Sequence, residues 1–404
     1  MGQPETKQVQ QKIGDGTARP QKETVGICAI FACLYFLAMP LTIVTIVPGL
    51  SLLKLVTLMI GAVFVVKLFV GNNRFSFNSV HLFYALYLVY SYSTLITLNI
   101  EYARVQLQGM LESFIAILFI SSRVYNQREK RWIENAWILV GVLSCVLGFT
   151  STTIIEESRI TLSILGGEED PNQFCGYFII PMMFGLERLV KKDKFWYLYL
   201  VYLIAIVMVV FKTGSRGGLV AVLAPVAVYA FVAARGLKNR LKVILIGTLA
   251  VVLFVSVIFP SLPETTQERF SVERVAEDRG SGRFDVWQLL VTEVLSDWKA
   301  TLTGYGIGST IDILGRAHSP ADYAHNHWIQ MWCDEGLIGV LLYGFVILAA
   351  VIRNWKRNMP IVCALVGLMA LSMSLTLYVF KPVLNILLMS AMSYEGELKY
   401  EQKS

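Results

Sequence analysis

The chain has little charge and few histidines. Asp, Glu, Lys and Arg make up 16% of its 404 residues, only four residues are His, and 55% are hydrophobic. Such a composition excludes an ordinary soluble domain and indicates an integral membrane protein. The net charge of +6 comes from Lys and Arg grouped between apolar segments. Because this grouping is typical of membrane topology, we expect no nucleic-acid partner.

Motifs for nucleotide and metal chemistry are also missing from the sequence. It contains no Walker loop and no dinucleotide-binding fingerprint. The six cysteines lie in or beside apolar segments without the spacing of metal ligands, which argues against a disulfide framework and a zinc site. We therefore expect no cofactor and no metal.

Apolar segments of membrane-spanning length fill most of the chain. A span needs about 20 apolar residues, and the candidates are 25–47, 51–70, 80–98, 104–121, 133–150, 174–189, 195–211, 217–234, 241–260, 336–352, 360–378 and 381–394. These segments predict an all-α, polytopic membrane protein with about 12 transmembrane helices. The last candidate is short and begins at Lys381 and Pro382, so eleven spans are the alternative.

The pattern divides the chain into five parts. We expect a cytoplasmic disordered tail over 1–23, transmembrane helices 1–9 over 24–260, a large helical extracytoplasmic catalytic loop over 261–335, transmembrane helices 10–12 over 336–394, and a cytoplasmic tail over 395–404. The first tail is rich in Gln, Lys, Glu, Gly and Pro, which cannot form a core.

Basic loops predict which side of the membrane each part occupies. They contain Arg123, Arg128, Lys130 and Arg131; Arg188, Lys191, Lys192 and Lys194; Arg235, Lys238, Arg240 and Lys242; and Arg353, Lys356 and Arg357. Lys and Arg near span ends are retained in the cytoplasm, so the amino terminus is expected inside and the 261–324 segment outside. No nucleotide sugar is available outside, so an enzyme there needs a substrate that was activated before it arrived.

The densest group of polar residues lies where the membrane segments resume, over 324–339. At about 100° per residue, His325, Trp328 and Trp332 are expected to share one face of a helix. Histidine can accept a proton from an attacking hydroxyl near neutral pH. A hydrogen-bonded interfacial histidine is the alternative. A metal site shared with His327 is disfavoured, because residues two apart diverge on a helix and no carboxylate partner is obvious.

Two arginines lie in glycine-containing segments on the same predicted side. Arg216 follows a predicted span, where burying its charge costs free energy unless the guanidinium pairs with an acid or faces a water-filled cavity. The alternative is that its side chain extends to the membrane–water interface. Arg283 lies in the first turn of a helix that Ser281 is expected to cap, and a solvated surface arginine is the alternative. A guanidinium binds phosphate oxygens through a planar fork of donors and stays charged. Together with an imidazole, the two arginines fit glycosyl transfer from a lipid-linked pyrophosphate sugar.

These segments together resemble the O-antigen ligase and O-antigen polymerase family of bacterial membrane glycosyltransferases. The matching elements are Ser-Arg-Gly-Gly-Leu at 215–219, the pattern over 281–287, the His-Asn motif at 325–326 with its continuation to Gly339, and Asp-Pro-Asn at 170–172. The resemblance covers about 174–352. One departure is visible: the family usually has a glutamate nine residues after the histidine, whereas this chain has Asp334 and then Glu335, to which we assign no catalytic role.

The resemblance implies roles for six residues. His325 is expected to be the catalytic base, and Arg216 and Arg283 are expected to take part in catalysis by contacting the diphosphate of an undecaprenyl-linked glycan. Further contacts to the diphosphate or glycan are expected from Asn326, Asp170 and Asn172. The resemblance also implies a metal-independent, inverting transfer at the outer face of the bacterial cytoplasmic membrane.

The expected function is transfer of a glycan from undecaprenyl diphosphate to a sugar hydroxyl, with membrane lipid around the protein. We favour a polysaccharide polymerase, whose acceptor is another lipid-linked glycan, because no feature points to a lipopolysaccharide core. A ligase with a lipid A core acceptor is the alternative. A transporter or flippase of lipid-linked glycans is the rival from another class, but it predicts internal repeats and polar residues near the midplane.

Overall fold

Helices form most of the described chain. The computed structural model describes residues 24–47, 50–70, 75–94, 100–155, 159–261, 264–271 and 282–396. The helices before the long polar segment are α1 (Ile27–Leu37), α2 (Leu52–Val70), α3 (Ser79–Ser93), α4 (Ile100–Ser121), α5 (Gln127–Thr150), α6 (Pro171–Gly176), α7 (Ile179–Val190), α8 (Trp196–Lys212), α9 (Arg216–Ala233) and α10 (Leu237–Leu253). The later helices are α11 (Glu264–Phe270), α12 (Arg283–Ser296), α13 (Trp298–Thr303), α14 (Ser309–Arg316), α15 (His327–Asn354), α16 (Met359–Ser372) and α17 (Lys381–Ala391).

Each segment that was expected to span the membrane contains a helix. Five helices among the described residues are long and apolar enough to cross a membrane: α4, α5, α9, α10 with its π-helical extension to Val257, and α15. Four shorter apolar helices join them: α1, α2 up to Val66, α8 and α16. The prediction of a mostly helical membrane protein is thus confirmed, while the count of twelve spans stays a prediction.

Two expected spans are shorter as helices than their apolar sequence suggested. In 25–47, α1 ends at Leu37, and the chain continues through a short 3-10 turn to the antiparallel hairpin of β1 (Thr45–Val47) and β2 (Leu50–Ser51). Pro40 lies in that turn and lacks the N–H that a continuous helix requires. In 381–394, α17 ends at Ala391, and β7 (Ser393–Tyr394) pairs in parallel with β3 (Val124–Tyr125).

The all-α prediction missed a small antiparallel sheet between α5 and α6. It consists of β4 (Thr152–Ile155), β5 (Arg159–Ile164) and β6 (Gly167–Glu168), with Thr152 opposite Leu162. The β-branched residues of β4 and β5 favour extended structure. The sheet leads the chain directly into Asp170 and α6, so it positions part of the candidate site.

Helix α15 joins two hydrophobic cores. The larger core runs through the helix bundle, and the smaller one belongs to the long polar segment and contains Leu290, Val294, Ile313, Leu314, Ala324 and Cys333. α15 bends at Gly336, where φ is 68°. The backbone N–H groups of Tyr305 and Gly306 donate to the carbonyl oxygens of Cys333 and Asp334 at 2.9 Å and 2.8 Å. These bonds satisfy carbonyls that a continuous helix would direct to residues 337 and 338, so the bend is fixed.

Candidate active site

His325 lies immediately before α15 rather than on one of its faces. The helix begins at His327, and the Oδ1 atom of Asn326 caps it by accepting hydrogen bonds from the N–H groups of Trp328 (3.1 Å) and Ile329 (3.2 Å). The predicted helical face shared by His325 and Trp328 is therefore wrong, because the cap ends the helical geometry at Asn326. His325 itself has φ of 48°, a left-handed conformation that is uncommon outside glycine.

Two residues of opposite charge act on the half-buried imidazole of His325. Burial and the positive charge of Arg283 lower the pKa of His325, whereas the negative charge of Asp170 raises it. Arg283 is the first residue of α12 and Asp170 is the N-cap of α6, so three separate segments converge here. A lowered pKa keeps the imidazole neutral at physiological pH, and the neutral form is the one that accepts a proton.

The predicted cap of α12 falls outside the described residues. Ser281 was expected to hold that position, but the described part of the chain resumes at Gly282. Gly282 precedes the helix with φ of 74° and supplies no side-chain cap. The backbone at this glycine therefore sets the direction in which α12 leaves the loop and carries Arg283.

A series of hydrogen bonds links Asp170 to the start of α9, where Arg216 is the first residue. Oδ1 of Asp170 accepts from the backbone N–H of Asn172 at 2.7 Å and from its Nδ2 at 2.9 Å. The Oδ1 atom of Asn172 accepts from the hydroxyl of Ser215 at 2.5 Å. Ser215 in turn caps α9 by accepting from the N–H of Gly218 at 2.8 Å. These bonds bring Asp170, Asn172 and Arg216 to the same end of the bundle.

The glycines after Arg216 allow α9 to begin in a crowded place. A Cβ atom at Gly217 would collide with the side chain of Ser374, and one at Gly218 would collide with that of Cys175. The first turn of α9 is thus pressed against α6 and the turn that follows α16. This close packing fixes the backbone from which the Arg216 side chain extends.

The residues that follow His325 are used by the fold. Asn326 is 2% exposed, and its carbonyl oxygen atom Oδ1 serves the helix cap described above, so a substrate contact by Asn326 stays a prediction. His327 is 1% exposed; its Nδ1 accepts from the N–H of Leu377 at 3.3 Å, and its ring packs edge-on against Tyr343 and Tyr378. His327 therefore belongs to the bundle interior. Among the described residues, no group of three or more His, Cys, Asp or Glu side chains could hold a metal ion.

The two acidic residues at the position of the family's usual glutamate are buried and hydrogen-bonded. Asp334 Oδ1 accepts from the N–H and the hydroxyl of Thr310 at 2.9 Å and 2.7 Å. Glu335 Oε2 accepts from the hydroxyl of Tyr87 at 2.9 Å. Both lie about two turns into α15. They attach α14 and α3 to α15 rather than approaching His325.

Sequence analysis did not single out Glu169, the buried neighbour of Asp170. Glu169 is 8% exposed, and its Oε2 accepts from the hydroxyl of Tyr177 at 2.8 Å; that hydroxyl lies 2.5 Å from Oγ1 of Thr42. Burial raises the pKa of Glu169 to about 7, against the effect of the Tyr177 hydrogen bond, and the charge of Asp170 adds to the rise. The only signal in the sequence is the acidic run Glu-Glu-Asp at 168–170.

The apolar helices and this polar group define the class: an integral membrane protein with a candidate active site at one end of its helix bundle. Residues 200–344 match the family described as O-antigen ligase, which confirms the resemblance predicted from the motifs. The matched range includes Arg216, Arg283 and His325, whereas Asp170 and Asn172 precede it.

Comparison with other known proteins adds a distant likeness. A solved structure described as "Structural coordination of polymerization and crosslinking by a peptidoglycan synthase complex" has a TM-score of 0.45 and 16% sequence identity, over 77% of this chain and 94% of that chain. No curated protein matches the chain.

Proposed function

We propose that this protein is a membrane glycosyltransferase that transfers a glycan from undecaprenyl diphosphate to a sugar hydroxyl at the outer face of the bacterial cytoplasmic membrane. The O-antigen ligase match supports this class of reaction. The observation that carries the proposal is the setting of His325, whose pKa is lowered by burial and by Arg283 while Asp170 opposes the shift. The hydrogen bonds from Asp170 through Asn172 to Ser215 support a shared site with Arg216.

In the proposed reaction, His325 is the base and the arginines hold the leaving group. The oxygen of the acceptor hydroxyl attacks the anomeric carbon of the donor glycan as the bond from that carbon to the diphosphate oxygen breaks. His325 takes the hydroxyl proton, and the electron pair of the broken bond leaves with the polyprenyl diphosphate. Arg216 and Arg283 bind the diphosphate oxygens and stabilise the added negative charge. Attack from the side opposite the leaving group inverts the anomeric carbon, and this scheme requires no metal.

We also propose that the site lies outside the cytoplasmic membrane. Arg131, Arg188 and Arg357 line one cavity of about 450 Å³, which supports the prediction that their loops share a side. This cavity lies near the Asn354 end of α15, and His325 lies before the other end, beyond the bend at Gly336. The rule that positive loops stay inside then assigns the cavity to the cytoplasm and the 261–335 loop to the outside. The same rule leaves 1–23 and 395–404 as cytoplasmic tails.

Within this class we favour the polymerase. The test supplies the purified protein with undecaprenyl diphosphate glycan, with and without a lipid A core acceptor, and resolves the products by mass. A ladder of lengthened lipid-linked glycans supports the polymerase, and a single conjugate on the core identifies the ligase. Movement of the donor across a liposome membrane without a new glycosidic bond would overturn the enzyme proposal in favour of a transporter.

A matched pair of histidine variants makes that test specific. His325 and His318 both have positive φ, of 48° and 52°, and His318 is exposed in the same polar segment. Asn tolerates this backbone conformation better than most residues. His325→Asn is expected to slow product formation by about 10²- to 10⁴-fold, and His318→Asn is expected to retain it. Equal activity of the two variants would remove His325 from the reaction.

A further inference from the structure

A second cavity, of about 400 Å³, lies beside α1, α2, α4 and the start of α17. Its polar and charged lining residues are Tyr35, Thr42, Ser51, Lys54, Thr57, Glu112 and Lys381. The rest of its wall consists largely of Leu, Ile and Ala side chains of α2 and α4. It thus combines a charged group with a surface that suits a hydrocarbon chain.

Two lysines in this cavity share one carboxylate. Lys54 Nζ lies 3.3 Å from Glu112 Oε1, and Lys381 Nζ lies 3.9 Å from Glu112 Oε2. Lys381 Nζ also donates to the carbonyl oxygen of Gly109 at 3.0 Å and to the hydroxyl of Ser113 at 2.8 Å, which leaves one of its three N–H groups for a ligand. The cluster therefore carries one more positive than negative charge. The side chains of Lys54, Glu112 and Lys381 are 43%, 31% and 21% exposed, so a ligand in the cavity can reach all three.

Glu112 lies far from either end of α4, whereas Lys54 and Lys381 lie in the first turns of α2 and α17. Glu112 is about 18 Å along the helix from Ile100 and about 14 Å from Ser121. Ionisable groups at such a position in a membrane protein are costly, and they mark binding sites or pathways. A bound anion would neutralise the excess positive charge of the two lysines and so lower the free-energy cost of burying them.

The cavity is separated from the candidate active site by a hydrogen-bonded wall. Thr42 lines the cavity and lies 2.5 Å from the Tyr177 hydroxyl, which donates to Glu169, the neighbour of Asp170. Phe380, next to Lys381, packs edge-on against Tyr177 at 6.0 Å between ring centroids. A ligand in the cavity would therefore lie next to the segment that carries Asp170 without occupying the place of the donor diphosphate.

We propose that this cavity binds the phosphate group of a lipid-linked acceptor, with Lys54 and Lys381 contacting the phosphate oxygens and the apolar wall contacting the lipid chain. The assignment rests on the proposed polymerase function. In that reaction the attacking hydroxyl lies on the acceptor glycan, away from its lipid. The acceptor phosphate consequently needs a place of its own, distinct from the site of the donor diphosphate.

Binding without turnover tests this proposal. Native mass spectrometry of the purified full chain with undecaprenyl diphosphate should reveal two bound molecules, and Arg216→Gln should weaken one of them. Lys54→Gln should weaken the other about tenfold, as expected for loss of a charged hydrogen bond. Unchanged binding of both molecules in Lys54→Gln would overturn the proposal. Equal occupancy of the same site by phosphatidylglycerol or by inorganic phosphate would overturn the assignment to a lipid-linked acceptor.

Glu112→Gln separates binding from a structural role. If the cavity binds an anion, removal of the competing carboxylate should raise the affinity for the second molecule of undecaprenyl diphosphate. If the ion pair is purely structural, its loss should leave that affinity unchanged or lower it. In the product assay, Lys54→Gln should raise KM for the acceptor with little change in kcat. The binding measurement does not depend on the reaction. If two molecules bind but no glycan is transferred, the proposed function is rejected, while the assignment of a lipid phosphate to this cavity is retained.

Discussion

The two ends of α15 use arginine in different ways. Near Asn354, Arg353 Nη2 donates to the Ser393 hydroxyl at 2.6 Å, and Arg188 from α7 bonds both Glu134 at 2.9 Å and Asp193 at 2.8 Å. Before His327, at the other end, the charge of Arg283 acts on a titratable imidazole. Arginine thus joins helices at one end, and at the other it adds to the effect of burial in lowering the pKa of a candidate base. Substitutions at the two ends should therefore change different measured quantities.

The largest effect is expected from His325→Asn. A positioned general base contributes about 10²- to 10⁴-fold to a rate, so glycosyl transfer should fall by that factor while the thermal unfolding midpoint stays close to that of the unchanged protein. Rates of glycan transfer and unfolding midpoints in detergent are the measurements. His318→Asn, which is exposed and has a similar backbone conformation, should change neither. A large drop in the unfolding midpoint of His325→Asn would mean that the residue supports the fold instead.

Arg188→Gln tests the other end of the comparison. The side chains of Arg188 and Glu134 are 18% and 13% exposed, so removal of the guanidinium leaves a mostly buried carboxylate without its cation. Loss of one partner of such a pair costs about 3 kcal/mol of unfolding free energy. Denaturant unfolding measures that cost, and the transfer rate per folded molecule should be preserved. The matched control is Lys191→Gln, whose side chain is 61% exposed in its pair with Glu187 and should matter far less.

Sequence patterns predicted the helices and the segments of the candidate site. Apolar length located a helix in each expected span, because membrane helices must satisfy their backbone hydrogen bonds internally. The glycines after Arg216 and the His-Asn pair at 325–326 marked positions where the structure has close packing and a helix cap. The chemical roles of Arg216, Arg283 and His325 stay predictions.

Other features depend on tertiary contacts that periodicity does not encode. His325 was assigned to a helical face because periodicity cannot locate the cap at Asn326. The raised pKa of Glu169 could not be predicted from its acidic loop, since it results mainly from burial in the folded chain. The early ends of α1 and α17 could not be predicted from the sequence, because apolar composition does not distinguish a helix from a buried turn or strand.

Glu169→Gln is expected to change the pH dependence of stability. The pKa of Glu169 is raised from 4.5 to about 7, so between these values the folded protein retains a proton that the unfolded chain has lost. Stability should therefore fall as pH rises through this window, by about 3 kcal/mol, and stay low above pH 7. Between pH 4.5 and 8, the thermal unfolding midpoint should change less with pH in Glu169→Gln than in the unchanged protein. Parallel profiles for the two proteins would contradict a raised pKa at this residue.

The smallest and sharpest effect is a pair of opposite shifts in the pH profile of the reaction. The base must be deprotonated to take the hydroxyl proton, so the rate falls as pH falls through the pKa of His325. Arg283 lowers that pKa, so Arg283→Gln should move the acid limb of kcat/KM to higher pH; Asp170 raises it, so Asp170→Asn should move the limb to lower pH. Each shift should be roughly half a pH unit for a charge near a partly wet site.

The choice of variants separates this electrostatic effect from damage to the fold. Asn at position 170 can still cap α6, because Asn and Asp are similarly good N-cap residues. Arg283→Gln also loses a proposed diphosphate contact, so its profile is compared after scaling to its own maximum rate. The two limbs must move in opposite directions, since the charges removed have opposite signs. If both limbs moved the same way, His325 would not be the group that titrates, and the contrast between the two ends of α15 would rest on stability alone.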